Sequence, residues 1–417
     1  MAFTFLHAAD LHLGSPFQGL ATRDAERGAA VARRFAAASR EAFQELVDRA
    51  LAEEVAFAVI AGDVYDGAWK DTSIGLFFHS QLARLTRAGI PVYLVAGNHD
   101  AESVVSSSIS LPERVHRFSS RRAETLTLPE HRVALHGLSF AKPVMDDNPV
   151  SGFPARRDGW FNIGVLHTSL EGAAEHIRYA PCSINDLVGT GYDYWALGHV
   201  HDFALKHENP HVVYPGNLQG RSVRECGPKG AVFVDVADGR VAQLRRAFVD
   251  RARFAHAEID ITGLATVEAL NAALRAGIDA ALAPTLDRLT ALRVTLSGAS
   301  GLHGRLVAER DHWREEIHNL TQQRHDDAWL EALKLRTTTP VASTDAEAAA
   351  VDADDLTRIV DALLEDPALT REVADLAASL GLPAGIPLSD DAAAWLAAAR
   401  ATLLARVAGA GGSDAAP

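Results

Sequence analysis

The sequence predicts an α/β layered fold with at least part of its sheet parallel. Two features predict it: up to about Asp250 short apolar runs alternate with helix-length segments, and those runs repeatedly stop on Asp, Asn or His. FTFLHAAD, VAFAVIAGD, IPVYLVAGN, RVALHGLSF, FNIGVLHT and YWALGH read as strands buried on one or both faces. Arg34 to Glu54 and Thr72 to Ala88 read as helices between the early strands. GAVFVDVADGRVAQLRRAFV reads as a hairpin with Asp238-Gly239 at its turn.

After Arg251 the pattern changes. FAHAEIDI and RLTALRVTLSG are strand-like and flank an Ala-rich helical stretch, a charged helix follows from Arg305 to His325, and ALKLRT precedes Pro340. A smaller α/β capping domain over 251–340 is expected. From 341 to 417 the chain is Ala- and Asp-rich, and Leu356, Ile359, Val360, Leu363 and Leu364 fall on one helix face. This helical carboxy-terminal region is a candidate partner-binding segment. The domain plan is therefore 1–250, 251–340 and 341–417.

Composition narrows the class. At 417 residues, 48% of them hydrophobic, the chain is long enough for two or three cores. No apolar run reaches the roughly 20 residues of a membrane span, and MAFTFLHAAD lacks the basic start of a signal peptide. Cys182 and Cys226 show no CxxC pattern, so buried or free thiols in a reducing cytoplasm are expected. The net charge is −14, but 341–417 holds 13 acidic and 4 basic residues, so the first 340 positions are close to balanced. A polyanionic substrate is neither favoured nor excluded by charge alone.

The chemistry lies at the strand ends. AADLHLG supplies Asp10 and His12, AGDVYDG supplies Asp63 and Asp66, and LVAGNHD supplies Asn98 and His99. FNIGVLHT adds His167, and YWALGHVHD adds His199 and His201. Extended backbone repeats every two residues, so each DxH or HxH pair is expected to leave on one face. Loops beyond strand carboxyl ends are where open α/β sheets place their sites. Asp10, His12, Asp63, Asn98, His167, His199 and His201 are too many donors for one tetrahedral zinc and suit two divalent ions sharing a carboxylate. The mixed nitrogen and oxygen set, without thiolate, fits Mn, Fe or Zn and favours none of them sharply. Adjacent residues in extended chain diverge, so Asn98 is expected to bind metal and His99 to act as general acid or phosphoryl donor. Asp100 is expected to cap the following helix. Arg221 and Asp66 are the candidate substrate contacts; His7, His79, His136 and His176 read as structural.

DxH, GDxxD, GNHD, a lone His and GHxH, in that order, resemble the calcineurin-like metallophosphoesterases over residues 1 to about 250. The wording of FLHAADLHLGSPF, VIAGDVYDG, ALGHVHD, VVYPGNLQGRS and GPKGA is similar to the SbcD-type DNA-repair exonucleases, and within them to a YhaO-like subgroup. The resemblance implies a layered β-sandwich flanked by helices plus a cap. It implies one ion held by Asp10, His12, Asp63 and His201, a second by Asp63, Asn98, His167 and His199, and a catalytic His99. It also implies Mn²⁺-dependent DNA cleavage and a homodimer. Relatives with GDxxH carry a second histidine where this chain has Asp66, so no role for a second histidine transfers.

Three functions are set against one another. The first is a two-metal DNA exonuclease or endonuclease working with an SMC-like coiled-coil ATPase docked on the carboxy-terminal helices. The second is a small-molecule phosphodiesterase or phosphatase. The third, a non-catalytic scaffold, conflicts with a complete donor set plus His99.

Overall fold

A computed structural model of the chain describes residues 2–15, 25–66, 72–102, 110–145, 147–170 and 180–340, together with 358, 361 and 362. Two compact units result, Met1–Pro340 and Val341–Pro417. In the second unit the three described residues are helical. The other carboxy-terminal helix expectations, and His176, lie outside the described residues.

The first unit begins as a two-sheet sandwich. One sheet has the order β12-β11-β1-β2-β3-β4. It is built from β1 (Ala2–Ala8), β2 (Phe57–Ala61), β3 (Val92–Val95), β4 (Val115–Arg117), β11 (Gly230–Ala237) and β12 (Arg240–Phe248). The second runs β5-β6-β7-β8-β10-β9. Its strands are β5 (Glu124–Leu128), β6 (Val133–Leu138), β7 (Phe161–His167), β8 (Tyr194–Gly198), β9 (Ala204–Glu208) and β10 (His211–Tyr214). β1 to β4 are parallel, as are β6, β7, β8 and β10, while β11, β12, β5 and β9 join antiparallel. Parallel strands must be bridged by crossovers, which is why the early runs alternate with helices.

Burial follows the residue pattern. Phe5, Val59, Val232 and Val234 of the first sheet meet Leu135, Ile163, Val165 and Ala196 of the second in a shared core. The Phe5 and Phe57 rings stack at 5.0 Å. The opposite face of the first sheet is covered by α1 (Ala25–Ala52) and α2 (Thr72–Arg87), whose Phe43, Leu46, Phe78 and Leu82 pack on Leu6, Ala58 and Ile60. α1 starts well before Arg34, because Val31, Phe35, Ala38, Ala42 and Leu46 continue one apolar stripe. The outer face of the second sheet buries Leu166, Trp195 and Leu197 against Leu187 of α4 (Ile184–Gly189). α3 is the single turn Asn98–Glu102.

Residues 252–338 form a third sheet, β13-β14-β15, all parallel. β13 is Ala252–Asp260, β14 Leu289–Ala299 and β15 Ala328–Thr338. One face packs on α5 (Val267–Leu282), α6 (His303–Ala308) and α7 (Arg310–Arg324), burying Leu270, Leu274, Ile278, Trp313 and Ile317 on Val294 and Leu296. The charged helix expected from Arg305 to His325 is two helices, broken at Glu309 (φ −104°, ψ 30°). On the other face Phe254 and Trp329 pack on Val31 and Phe35 of α1, and Arg34 reaches Asp327 with two hydrogen bonds. Among the described residues no helix is long and apolar enough to cross a membrane.

Candidate metal centre

The loops after β1, β2, β3, β7 and β8 converge at one end of the sandwich, but not by the route the period-two argument predicts. β1 stops at Ala8 and β8 at Gly198, so the DxH and HxH pairs lie beyond the pleat. Asp10 (φ 52°), His12 (41°), Asp63 (51°) and His199 (103°) all turn through the left-handed region. Such backbone costs roughly 1–3 kcal/mol per residue outside glycine. It is held by cross-loop bonds: Asp10 N–H to Gly62 O and His12 N–H to Asp63 O, both 3.0 Å. The His199 N–H donates to both Asp10 oxygens, at 3.1 and 3.0 Å.

The LVAGNHD stretch also differs from expectation. Asn98 and His99 belong to α3 rather than to extended chain, and they diverge because successive helical residues point about 100° apart. Gly97, just before them, has no room for a side chain: a Cβ there would lie 2.2 Å from Asp63 Oδ1. Gly198 is equally constrained, with Ala61 O at 2.0 Å. Asp100 accepts from the backbone N–H of Gly97, three residues earlier, which closes one arm of a capping box. It also accepts from Val64 and Tyr65, tying the β2 and β3 loops together. Burial and nearby Asp63 push its carboxyl up to about 6 despite these donors.

Seen as donors, Asp10, His12 and His201 form one group and Asp10, Asp63 and His167 another, each with ligand atoms within 4.8 Å of one another. His12 Nε2 and His201 Nε2 are 3.2 Å apart. His167 Nε2 lies 3.0 Å from Asn98 Oδ1 and 3.4 Å from Asp63 Oδ2. The His199 ring is 5.3 Å from that of His167. The predicted donors therefore converge: Asp10, His12, Asp63, Asn98 and His167 are buried, and His199 and His201 are partly buried.

Hydrogen bonding fixes which lone pairs face inward. His167 Nδ1 donates to the carbonyl of Ala61 at 2.9 Å, which leaves Nε2 aimed at two oxygen acceptors. His201 Nδ1 donates to Glu225 at 2.8 Å, which leaves its Nε2 aimed at another imidazole nitrogen. His12 Nδ1 is buried without a hydrogen-bond partner. Acceptors facing acceptors need a proton or a cation between them. Metal–nitrogen bonds of about 2.1 Å put neighbouring ligands roughly 3.0–3.4 Å apart, so the donor chemistry and spacing suit a divalent ion. Without one, protons take its place: burial works against a charged His167, yet Asp63 and Asp10 outweigh it and raise it to about 9. Burial holds the His199 imidazole down at about 3, and it also lowers His12. Asp63 lies well below the usual carboxylate range, since His167 and His12 outweigh its burial, whereas burial raises Asp10.

A second ring of residues supports the first. Glu225 was invisible to sequence reading: it lies in no motif, yet it holds His201 and accepts from the backbone of Arg221. Paired carboxylates of this kind orient ligand imidazoles. Asp66 sits between His12 Nδ1 (3.6 Å) and His99 Nδ1 (3.7 Å), and accepts from Ser15 at 2.5 Å. Arg221 spans Asp66 (3.4 Å) and Glu225 (3.3 Å). The His99 side chain is the exposed member, 38% accessible, with its ring 5.2 Å from that of His12. His7 and His136 stand apart with both ring nitrogens bonded, to Tyr194 and Leu197 and to Thr125 and Asn162. His79 lies on α2, where it lines a pocket with Tyr65 and Asp100. Cys182 is buried and Cys226 exposed.

Known proteins resemble parts of this chain. Residues 3–203 match the calcineurin-like phosphoesterase family model, and residues 254–338 match the middle domain of metallophosphoesterase YhaO. The chain is 37% identical over 243 residues to an uncharacterized metallophosphoesterase YhaO of Bacillus subtilis, covering 57% of this chain and 59% of that one. It is 28% identical over 269 residues to a DNA double-strand break repair protein Mre11 of Methanopyrus kandleri, covering 58% and 52%. The matched part thus spans a little over half the length of these relatives. A solved dimetal phosphatase from Danio rerio is similar at 13% identity and a TM-score of 0.34, over 57% of this chain and 93% of that one. Over residues 3–203, this chain is similar to the calcineurin-like phosphoesterases.

Proposed function

We propose that the chain is a two-metal phosphodiester hydrolase acting on DNA as an exonuclease or endonuclease in repair, with Mn²⁺ the preferred ion. The observation that carries this reading is the convergence of His12 Nε2 on His201 Nε2 and of His167 Nε2 on the Asn98 and Asp63 oxygens. Asp10, His12, Asp63 and His201 would hold one ion and Asp63, Asn98, His167 and His199 the other, Asp63 being shared. Bound divalent ions would supply Lewis acidity toward a phosphoryl oxygen.

The remaining work falls to the protein's own groups. His99, exposed at the rim, delivers a proton to the departing oxygen from Nε2. Its backbone N–H bonds Asp63 Oδ1 at 3.1 Å, which fixes where the ring starts. Asp66 was expected to touch substrate, but a carboxylate repels a phosphodiester, and both its oxygens already face protein groups. We assign it to holding the His99 ring by Nδ1. Arg221 holds Asp66 and Glu225 in place, and its exposed edge is left for a phosphate. The 252–338 region would serve as the cap that receives a long substrate. Residues 341–417 would dock an SMC-like ATPase, and the chain would pair with a second copy.

The competing reading is a small-molecule phosphodiesterase or phosphatase, toward which the acidic balance of −14 leans only mildly. One experiment separates them: purified chain with Mn²⁺, linear duplex DNA, single-stranded DNA and bis-p-nitrophenyl phosphate, beside His99→Ala. Cleavage of DNA, lowered roughly 10²–10⁴-fold by the substitution, is expected. Turnover of the aryl diester but of neither DNA would support the small-substrate reading. Truncation after Pro340 is expected to abolish ATPase co-purification.

A further inference from the structure

The two edge strands on one side of the sandwich carry an unusual surface. β9 and β12 are the last strands of their sheets, and exposed strand edges are normally blunted by charge. Here Leu205 on β9 and Phe248 on β12 remain 38% and 37% exposed, and Phe248 is the one exposed aromatic among the described large hydrophobic residues. At the opposite edge β5 exposes Thr125 and Thr127. Between the β9 and β12 edges lies the Arg246 guanidinium, its carbon 4.6 Å from the ring centres of both Phe203 and Phe248. Its neighbour Arg245 is tied to Asp235 and Glu53 on the other face. Arg246 forms no ion pair among the described residues; Asp202, itself held by Lys229, is the carboxylate that acts on it from farther off.

The position of this surface matters more than its composition. Phe248 pairs with Gly230, which follows Lys229, and the Lys229 ammonium donates to the carbonyl of His201 and to Asp202. Phe203 follows His201 by two residues, at most about 7 Å along the chain. The surface is therefore continuous with the donor cluster and lies at the same end of the sandwich.

We propose that Phe203, Arg246 and Phe248 form a stacking platform for an unpaired nucleobase of the strand whose phosphate enters the donor cluster, an assignment that rests on the phosphodiesterase reading above. Aromatic rings beside a guanidinium accept any base through its π-face, while the cation attracts the phosphate backbone. Such a platform selects single-stranded or frayed ends over small diesters and over intact duplex.

The test measures binding of fluorescent oligothymidylate and of an abasic oligomer of equal length to the full chain by anisotropy, with Ca²⁺ present. The native chain is expected to prefer the thymidylate by roughly 5- to 150-fold, the range one stacked base provides. Phe248→Leu keeps apolar bulk without a ring and is expected to remove most of that preference. Phe248→Trp is expected to keep it. Aryl-diester hydrolysis by both variants should stay within about twofold of the native rate. Equal preference in Phe248→Leu would overturn the proposal, as would loss of a dimer in light scattering with base preference unchanged. Loss of aryl-diester turnover in the native chain, with base preference intact, would instead count against the phosphodiesterase reading alone.

Discussion

The metal end of the sandwich and the three-stranded region over 252–338 solve burial in opposite ways. In the latter, Leu274, Ile278, Val294, Leu296 and Trp313 close a core in which the buried polar residues are Ser and Thr. Among its described residues, none other than glycine has a positive φ. At the metal end Asp10, His12, Asp63, Asn98, Asp100 and His167 are buried together, and four donors or their loop partners are turned through left-handed backbone. One region keeps its core apolar and its backbone out of the left-handed region; the other buries charge and strains its backbone at once. Buried like charges and strained backbone persist only where something repays them, and here a pair of cations would.

The largest effect should come from the shared carboxylate. Asp63→Asn is expected to reduce aryl-diester turnover to the metal-free background and to abolish protection from heat by divalent ions. Native protein at an ion concentration about 100 times its Kd should gain roughly 2.7 kcal/mol of stability. A variant still protected would place the cations elsewhere. By contrast, Leu296→Ala in the regular region should cost about 2–5 kcal/mol in denaturant unfolding and leave turnover at low temperature unchanged. A turnover loss without a stability loss would show that the two regions are not separable in this way.

A smaller effect concerns pH. His7 is buried in the sandwich, and burial pushes it down to about 3, outweighing its bond to Leu197. Between about 6.5 and 3 the unfolded chain holds a proton that the folded chain refuses, so stability falls as pH falls through that window. His7→Gln is expected to flatten the slope by up to about 1.4 kcal/mol per pH unit, measured by urea unfolding with chelator present. An unchanged slope would mean His7 charges within the fold. Smallest of all, Arg34→Ala should cost about 1 kcal/mol or less, because the Arg34–Asp327 pair is half exposed.

Much of the site was legible because its signal is chemical as well as geometric. Asp, Asn and His at successive strand ends identify a donor set however the backbone brings them together, and the strands themselves follow from apolar runs. The reasons given for that convergence were less sound. Period-two alternation does not apply to Asp10 and His12, which lie past β1, and Asn98 and His99 sit on a helical turn. Neither left-handed φ values nor the α3 turn is encoded by residue type alone; they occur where separate loops meet at Gly62, Gly97 and Gly198, which leave no room for a Cβ. Glu225 had no signal at all: its importance comes from a fold that returns β10 and the following loop to His201. Asp66 was noticed, but its role depends on neighbours from three separate loops.

Cation stoichiometry tests the account most directly. Titration calorimetry with Mn²⁺, checked by elemental analysis after desalting, is expected to give two ions per native chain and fewer in Asp63→Asn. No uptake by the native chain, or equal uptake by the variant, would contradict it.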